Sequence, residues 1–216
     1  LFVTAPDGAP TNALCDTYEV DEAGTTYTFR IRQDANWMNG EPVTAHDFVY
    51  AWRRLVDPAT ASEYSFMMEV AAVKNATPII AGELPTDQLG VSAADGKTLV
   101  VELDRPVTYF LNLMTFPSFC PINEAYATEK GSQYALGADN LLCCGPFYMS
   151  AWDVGGNTYQ LKKNPGYYDA DKVKLDVINF QIITDPQQTM LAYENGDLDY
   201  VRLSGEQIAK YETMEG

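Results

Sequence analysis

The sequence offers few side chains whose type and spacing could support catalysis. Its single histidine, His46, lies in the first turn of a predicted helix without a serine or cysteine nucleophile beside it. A solvent-facing or locally hydrogen-bonded histidine is the simpler interpretation. The Gly-x-Ser-x-Gly, Walker and Gly-x-Gly-x-x-Gly motifs are all absent from the sequence. The sequence therefore predicts a protein that is not an enzyme and that uses no cofactor.

Two pairs of closely spaced aspartates are of a type that could bind calcium or act as acid and base. Asp169 and Asp171 lie in a predicted surface turn, whereas Asp197 and Asp199 lie at the start of a predicted strand. Neither pair has the spacing of an EF-hand loop. Solvated side chains are the simpler interpretation of both pairs, and no metal site is predicted.

The four cysteines, Cys15, Cys120, Cys143 and Cys144, have neither the paired C-x-x-C spacing nor the histidines of a zinc site. Free and mostly buried thiols are the favoured interpretation, because unpaired cysteine usually behaves as a small buried hydrophobe. A disulfide from Cys120 to Cys143 or Cys144, formed in an oxidising compartment, is the alternative.

The composition limits the partners of the chain. Thirty acidic and fourteen basic residues give a formal net charge of −16, which repels nucleic acid and anionic lipid at long range. The fourteen tyrosines combine an apolar ring with a polar hydroxyl and serve either in a core or along a ligand groove. The chain begins with Leu1 and Phe2 rather than methionine, which predicts a trimmed piece of a longer protein.

Hydrophobic periodicity predicts a mixture of strands and helices. Alternation over 25–32 indicates a strand with one buried face. A helix is predicted from Thr44, its N-cap with Asp47 as capping-box partner, to the residue before Pro58. Further strands are predicted over 99–103, 147–152, 158–162, 177–183 and 198–203, and further helices after Thr60 or Ser62 and over 107–114 and 187–195. This order predicts an α/β (mixed α+β) fold.

Four stretches of sequence share their residues and their order with one known family. The first is 27–55, which contains N-G-E-P-V-T-A-H-D-F-V-Y-A-W-R-R-L, and the second is 57–62 with 79–82, 89–91 and 95–99. The third is 106–110 with 121–123, and the fourth is G-P-F at 145–147 with N-P-G-Y-Y at 164–168 and Y-E-N-G-D-L-D at 193–199. Together they resemble the extracellular solute-binding proteins of the peptide and nickel class. Phe48, Tyr50 and Trp52 make the chain most similar to the oligopeptide-binding proteins of ABC transporters.

This resemblance implies a particular architecture and function. The fold would be a periplasmic-binding-protein-like type II lobe with an inserted accessory domain, whose C-terminal lobe is absent from this chain. Residues 1–123 would form the accessory domain, and 124–216 would form part of the main α/β lobe. The receptor would enclose an extended peptide between two lobes by contacts to its backbone. A dipeptide, nickel, a sugar oligomer or a signalling peptide remains the alternative ligand on the same fold.

The resemblance also implies binding residues and partners. Tyr64 matches a groove-facing tyrosine of the family's accessory domain, although Glu63 stands where proline is common. Arg202 is a weaker ligand-binding candidate, because relatives often have a tyrosine near the ligand there. The implied partners are short peptides and the membrane permease of an ABC transporter. The receptor would be extracytoplasmic, either free in a periplasm or tethered as a lipoprotein. Self-association through an exposed apolar face is a further expectation.

Overall fold

The computed structural model describes residues 1–152 and 154–211. Within them the chain forms nine strands and seven α-helices. The strands are β1 (Phe2–Thr4), β2 (Pro10–Asn12), β3 (Cys15–Val20), β4 (Thr26–Ile31), β5 (Val91–Asp95), β6 (Thr98–Glu102), β7 (Phe147–Trp152), β8 (Thr158–Lys163) and β9 (Val177–Gln181). The α-helices are α1 (Ala45–Val56), α2 (Phe66–Val70), α3 (Ala76–Ile80), α4 (Phe110–Leu113), α5 (Glu124–Lys130), α6 (Pro186–Glu194) and α7 (Gly205–Tyr211). Short 3₁₀-helices lie at Pro58–Thr60, Thr86–Gln88, Pro117–Phe119, Gly131–Gln133, Ala138–Asn140 and Ala170–Lys172.

The described strands form three antiparallel sheets. β1 pairs with β2, four strands follow the order β3-β4-β6-β5, and three follow the order β7-β8-β9. The predicted alternation is confirmed in the central strand β4, where Tyr27, Phe29 and Ile31 are buried while Arg30 is exposed. The register places Phe29 opposite Leu99 of β6. Both side chains are completely buried, so β4 supplies one wall of the core. The predicted mixed α/β fold is confirmed.

Helix α1 begins and ends where the sequence predicts. The backbone N–H of Thr44 donates to Asp47 Oδ2 at 2.7 Å, and the Thr44 hydroxyl donates to the same oxygen at 3.0 Å. The helix ends at Val56. The next residue, Asp57, precedes Pro58 and adopts the extended conformation that a following proline favours. Phe48 and Trp52, one turn apart, are fully buried. The helix therefore covers the four-stranded sheet with a continuous apolar face, against β5 and β6.

Trp52 joins helix α1 to the 3₁₀-helix Pro117–Phe119. Its ring meets Phe119 edge-to-face with centroids 5.4 Å apart, and its indole N–H donates to the Phe119 carbonyl at 3.2 Å. The polar atom of this buried side chain is thus satisfied without a water molecule. The contact fixes the path of the chain after β6 and α4.

The segment that follows β8 is held by hydrogen bonds of Asn164 to its neighbours and by one contact with Arg32. Asn164 is buried and donates from Nδ2 to the Gly145 carbonyl at 2.9 Å, while its Oδ1 accepts from the N–H of Gly166 at 3.0 Å. The guanidinium of Arg32 lies 4.1 Å from the ring centre of Tyr168. This arrangement explains the local conformation of the N-P-G-Y-Y segment, which follows β8.

Several sequence-based element predictions are wrong in their details. The strand predicted over 198–203 is not formed, because no neighbouring strand of the described chain offers it backbone partners. The segment instead leads into α7, which periodicity did not predict. The helix predicted over 107–114 is confined to Phe110–Leu113, and the helix expected after Thr60 or Ser62 begins only at Phe66.

The apolar face of helix α6 is also less buried than its pattern indicates. Met190 is buried as predicted, but Leu191 is 57% exposed and Tyr193 is 45% exposed. No element of the described chain covers these two side chains. In residues 1–152 and 154–211, no helix has the length and apolar character needed to span a membrane.

Candidate functional site

Tyr64 lies in a turn between the 3₁₀-helix Pro58–Thr60 and helix α2. Asp57 Oδ1 accepts a hydrogen bond from the Ala59 N–H at 2.9 Å and caps the 3₁₀-helix. Ala61 then adopts the left-handed conformation, with φ of 50°, and reverses the chain. The Tyr64 N–H donates to the Ser62 hydroxyl at 3.3 Å. The turn projects the tyrosine outward, where it is 48% exposed.

Tyr64 belongs to a continuous apolar surface. Its ring centre lies 6.2 Å from that of Phe66 and 5.6 Å from that of Phe116. Phe66 and Val70 are one turn apart on α2, and the Tyr109 hydroxyl donates to the Val70 carbonyl at 3.4 Å. Except for the half-buried Phe116, each of these side chains is more than a third exposed. We call Tyr64, Phe66, Val70, Tyr109 and Phe116 the aromatic shelf.

The shelf members other than Tyr64 were missed by the sequence analysis. Phe66 lies two residues after Tyr64, a spacing that could have drawn attention to it. Phe116 lies far away in the sequence and reaches the shelf because the chain returns past α4. Phe116 also packs against the hydrophobic core, which anchors one edge of the shelf.

A buried polar network holds the segment before helix α1. Asp47 is only 7% exposed. Its Oδ2 accepts hydrogen bonds from the backbone N–H and the hydroxyl of Thr44 and from the Trp37 indole N–H at 3.2 Å. Burial raises the pKa of Asp47, and the hydrogen bonds from Thr44 and Trp37 oppose that shift. The carboxylate thereby fixes Trp37 against the start of the helix.

Lys97 supports the same region from the sheet. Its ammonium donates to the carbonyls of Arg32 and Val43, both at 2.8 Å. Burial lowers the pKa of Lys97, although the neighbouring carboxylates of Asp34 and Asp47 act in the opposite direction. These two bonds connect the end of β4 with the approach to α1. The network is a structural support, since it offers no nucleophile or leaving-group contact.

One cavity runs along α1 and a second lies at the start of that helix. Their volumes are about 520 Å³ and 480 Å³, and His46 and Glu124 line both. His46 is exposed. Neither cavity is lined by Tyr64 or Arg202. The predicted ligand contacts therefore lie outside both cavities, and Tyr64 lies on the open shelf.

The two aspartate pairs do not form a common site. Asp169 makes an ion pair with Lys172 at 2.8 Å beside the 3₁₀-helix Ala170–Lys172, and Asp171 is exposed. Asp197 and Asp199 are exposed and do not lie on a strand, contrary to the prediction. Among the residues that the structure describes, no group of three or more histidine, cysteine or acidic side chains is arranged to hold a metal ion.

Arg202 is exposed and lies in the segment where the predicted strand is absent. Within the described part of the chain, no hydrogen bond, ion pair or ring contact joins it to Tyr64. The structure thus does not bring the two candidate residues together. Arg202 stays a prediction.

All four cysteines are free thiols in the structure, as the favoured interpretation expects, but only Cys15 is fully buried. Cys143 and Cys144 are half-buried and Cys120 is exposed, because it follows a 3₁₀-helix at the surface. Burial raises the pKa of Cys15 to about 11 and that of Cys144 to about 12. Both thiols are thereby kept in the unreactive protonated form.

Burial also raises the pKa of Cys120, although its side chain is exposed. Because it is the one exposed cysteine, we expect alkylation of the native protein at about pH 8 to modify Cys120 first and to leave Cys15 and Cys144 unmodified. With a pKa of about 11, about one Cys15 thiol in a thousand is ionised at that pH. Iodoacetamide labelling followed by peptide mass spectrometry measures each site, and the unfolded protein, in which every thiol should react, is the control. Equal labelling of Cys15 and Cys120 in the native protein would contradict this expectation.

Comparison with known proteins places the chain in a family. A model described as "Bacterial extracellular solute-binding proteins, family 5 Middle" matches residues 9–216, and the chain belongs to this family. It is 37% identical over 194 residues to the oligopeptide-binding protein OppA of Bacillus subtilis (strain 168), covering 90% of this chain and 35% of that protein. It is 36% identical over 195 residues to a dipeptide-binding protein of Lactococcus lactis subsp. cremoris (strain MG1363), covering 89% of this chain and 35% of that protein.

A solved structure has the same fold. Listeria monocytogenes OppA bound to peptide superimposes with a TM-score of 0.91 at 40% identity, covering 99% of this chain and 42% of that one. The predicted resemblance to oligopeptide-binding proteins is therefore confirmed. The chain spans about a third of the length of the relatives named above.

Proposed function

We propose that this chain is the N-terminal part of an oligopeptide-binding receptor of an ABC uptake transporter, in which it supplies one wall of the peptide groove. The observation that carries the proposal is the match over 99% of the chain to a structure described as bound to peptide. The exposed shelf around Tyr64 supports it, because aromatic side chains with one free face are typical of ligand grooves. The membrane permease and short peptides are the proposed partners.

The division of the chain into two parts belongs to the same proposal. Within the described residues, the buried members of the main hydrophobic core all lie between Leu1 and Phe119. The sheet β7-β8-β9 lies beyond this core in the sequence. These facts support an accessory domain of 1–123 and a partial main lobe of 124–216, although 212–216 lie outside the described residues. Apolar side chains exposed on the second part, such as Leu191, support self-association of the isolated chain.

The proposed site of action is outside the cytoplasm. The description of the family as extracellular supports this location, and the surplus of acidic residues favours solubility. Attachment to the membrane as a lipoprotein and free movement in a periplasm are the two forms that the receptor could take. A solute-binding role without catalysis fits the family description.

A dipeptide receptor is the second candidate function. It is favoured by the 36% identity to the dipeptide-binding protein of Lactococcus lactis. The two functions differ in the ligand length that the closed groove holds, so binding of a dipeptide and a pentapeptide of the same composition separates them. The oligopeptide proposal expects the pentapeptide to bind more tightly.

The role proposed for Tyr64 can be tested in the receptor that carries this chain. Replacing Tyr64 with alanine removes a ring that would contact the peptide and should weaken binding by about tenfold, the order expected when one aromatic contact is lost. Isothermal titration calorimetry with a pentapeptide measures the effect. Tyr193→Ala is the matched control, because Tyr193 has a similar exposure of 45%. Unchanged affinity in the Tyr64→Ala receptor would remove Tyr64 from the groove.

A further inference from the structure

The aromatic shelf offers ring faces to solvent. Tyr64 and Phe66 are inclined by only 27° to each other and are 48% and 46% exposed. The Phe116 ring is inclined by 45° to Tyr64 and packs against the core. Phe116 therefore supports Tyr64, which in turn stacks on Phe66, and each of the two exposed rings keeps part of its surface accessible.

Acidic side chains accompany these rings. Glu69 lies three residues after Phe66 on α2, so the two side chains share one helical face. Glu63 precedes Tyr64 and is exposed. Within the part of the chain that the structure describes, neither carboxylate makes an ion pair. The shelf thus combines aromatic faces with negative charge that has no cationic partner in the same part of the chain.

We propose that the shelf accepts a lysine or arginine side chain of the bound peptide, with Tyr64 and Phe66 as the ring faces and Glu69 as the counter-charge. The inference rests on the proposed peptide-receptor function and names the ligand side chain that the receptor prefers. An aromatic face attracts a cation through its quadrupole, and an adjacent carboxylate adds a charge interaction. An uncharged side chain of the same length would have the apolar contact alone.

The net charge of the chain supports a basic ligand. The part of the receptor formed by this chain has a formal charge of −16, which attracts cationic peptides to it and repels acidic ones. Both the long-range attraction and the Glu69 interaction weaken as salt is added. The preference for a basic peptide should therefore decrease at high ionic strength, whereas a purely apolar contact would not weaken in this way.

The experiment measures the affinity of short alanine peptides for the receptor that carries this chain. Each position of the peptide is replaced in turn by lysine or by norleucine, and the two affinities are compared. Norleucine has the length of lysine without its ammonium group. We expect the lysine peptide to bind about fivefold more tightly at one position, as a single cation–π contact predicts. The Glu69→Gln and Phe66→Leu receptors should each reduce this ratio to about twofold or less. Glu22→Gln is the matched control, because Glu22 is exposed in the turn before β4 and should leave the ratio unchanged.

The outcomes distinguish failure of the shelf proposal from failure of the proposed receptor function. Equal binding of both peptides at every position would overturn the basic-side-chain proposal while leaving a peptide receptor in place. A lysine preference that survives in both Glu69→Gln and Phe66→Leu would also overturn it, because the preference would then arise elsewhere. If no peptide binds to the unmodified receptor, the proposed function itself fails, and the shelf proposal fails with it.

Discussion

Replacing Trp52 with alanine is expected to lower the free energy of unfolding by about 4 kcal/mol, the usual cost of removing a large buried aromatic side chain. Trp52 is completely buried, so its loss leaves a cavity between helix α1 and Phe119. The Phe119 carbonyl also loses the indole hydrogen bond of 3.2 Å. Urea unfolding followed by circular dichroism measures the change.

The control for this prediction is Tyr200→Ala, because Tyr200 is 82% exposed and its loss should change the free energy of unfolding by less than about 0.5 kcal/mol. A loss below about 1 kcal/mol in the Trp52→Ala protein would mean that α1 does not pack on the sheet as described. The folding core would then have to lie elsewhere.

Replacing Asp47 with alanine is expected to destabilise the protein by about 3 kcal/mol, because buried donors lose a charged acceptor. All three hydrogen bonds, from the Thr44 N–H, the Thr44 hydroxyl and the Trp37 indole, end on Oδ2. Asp47→Asn is the informative control, since its amide oxygen keeps an uncharged acceptor for at least two of these donors. It should lose less than half as much stability, and equal losses in the two variants would show that the charge matters more than the acceptor.

The same residue gives a pH dependence with a definite sign. Burial raises the pKa of Asp47 above its ordinary value of 3.8, so the folded protein binds this proton more tightly than the unfolded chain. The stability that protonation contributes is therefore fully present below about pH 3.8 and is lost as the pH rises through the raised pKa. The stability of the natural protein relative to Asp47→Asn should fall over that window in urea unfolding at a series of pH values. A rise in that difference would contradict the assignment.

Local patterns predicted β4 and the start of α1. The alternation of Tyr27, Phe29 and Ile31 identified β4, and Thr44 with Asp47 identified the start of α1, because both signals reflect backbone geometry and burial on one side. The segment 198–203 has a strand-like pattern as well. It forms no strand in the described chain because a strand needs backbone hydrogen bonds to a neighbouring strand, and a local pattern does not reveal that neighbour.

The candidate site was only partly predictable for a similar reason. Tyr64 was found through the family resemblance of its surroundings, whereas Phe116 joins the shelf only when the chain folds past α4. The acidic composition argued against nucleic acid and anionic lipid as partners, but it did not locate a site. The position of Glu69 beside Phe66 depends on the five-residue helix α2, which begins later than the sequence predicts. Tyr109 and Phe116 reach the shelf only through contacts between distant segments, and periodicity does not encode such contacts.

The central claim, that this chain belongs to a receptor for oligopeptides, is tested most directly by identifying what co-purifies with the receptor that carries it. The protein would be prepared gently and denatured, and the released molecules would be analysed by mass spectrometry. The account predicts a mixture of short peptides, enriched in lysine or arginine. A single metal ion, sugar or other small molecule would contradict it, because the fold would then serve a different ligand.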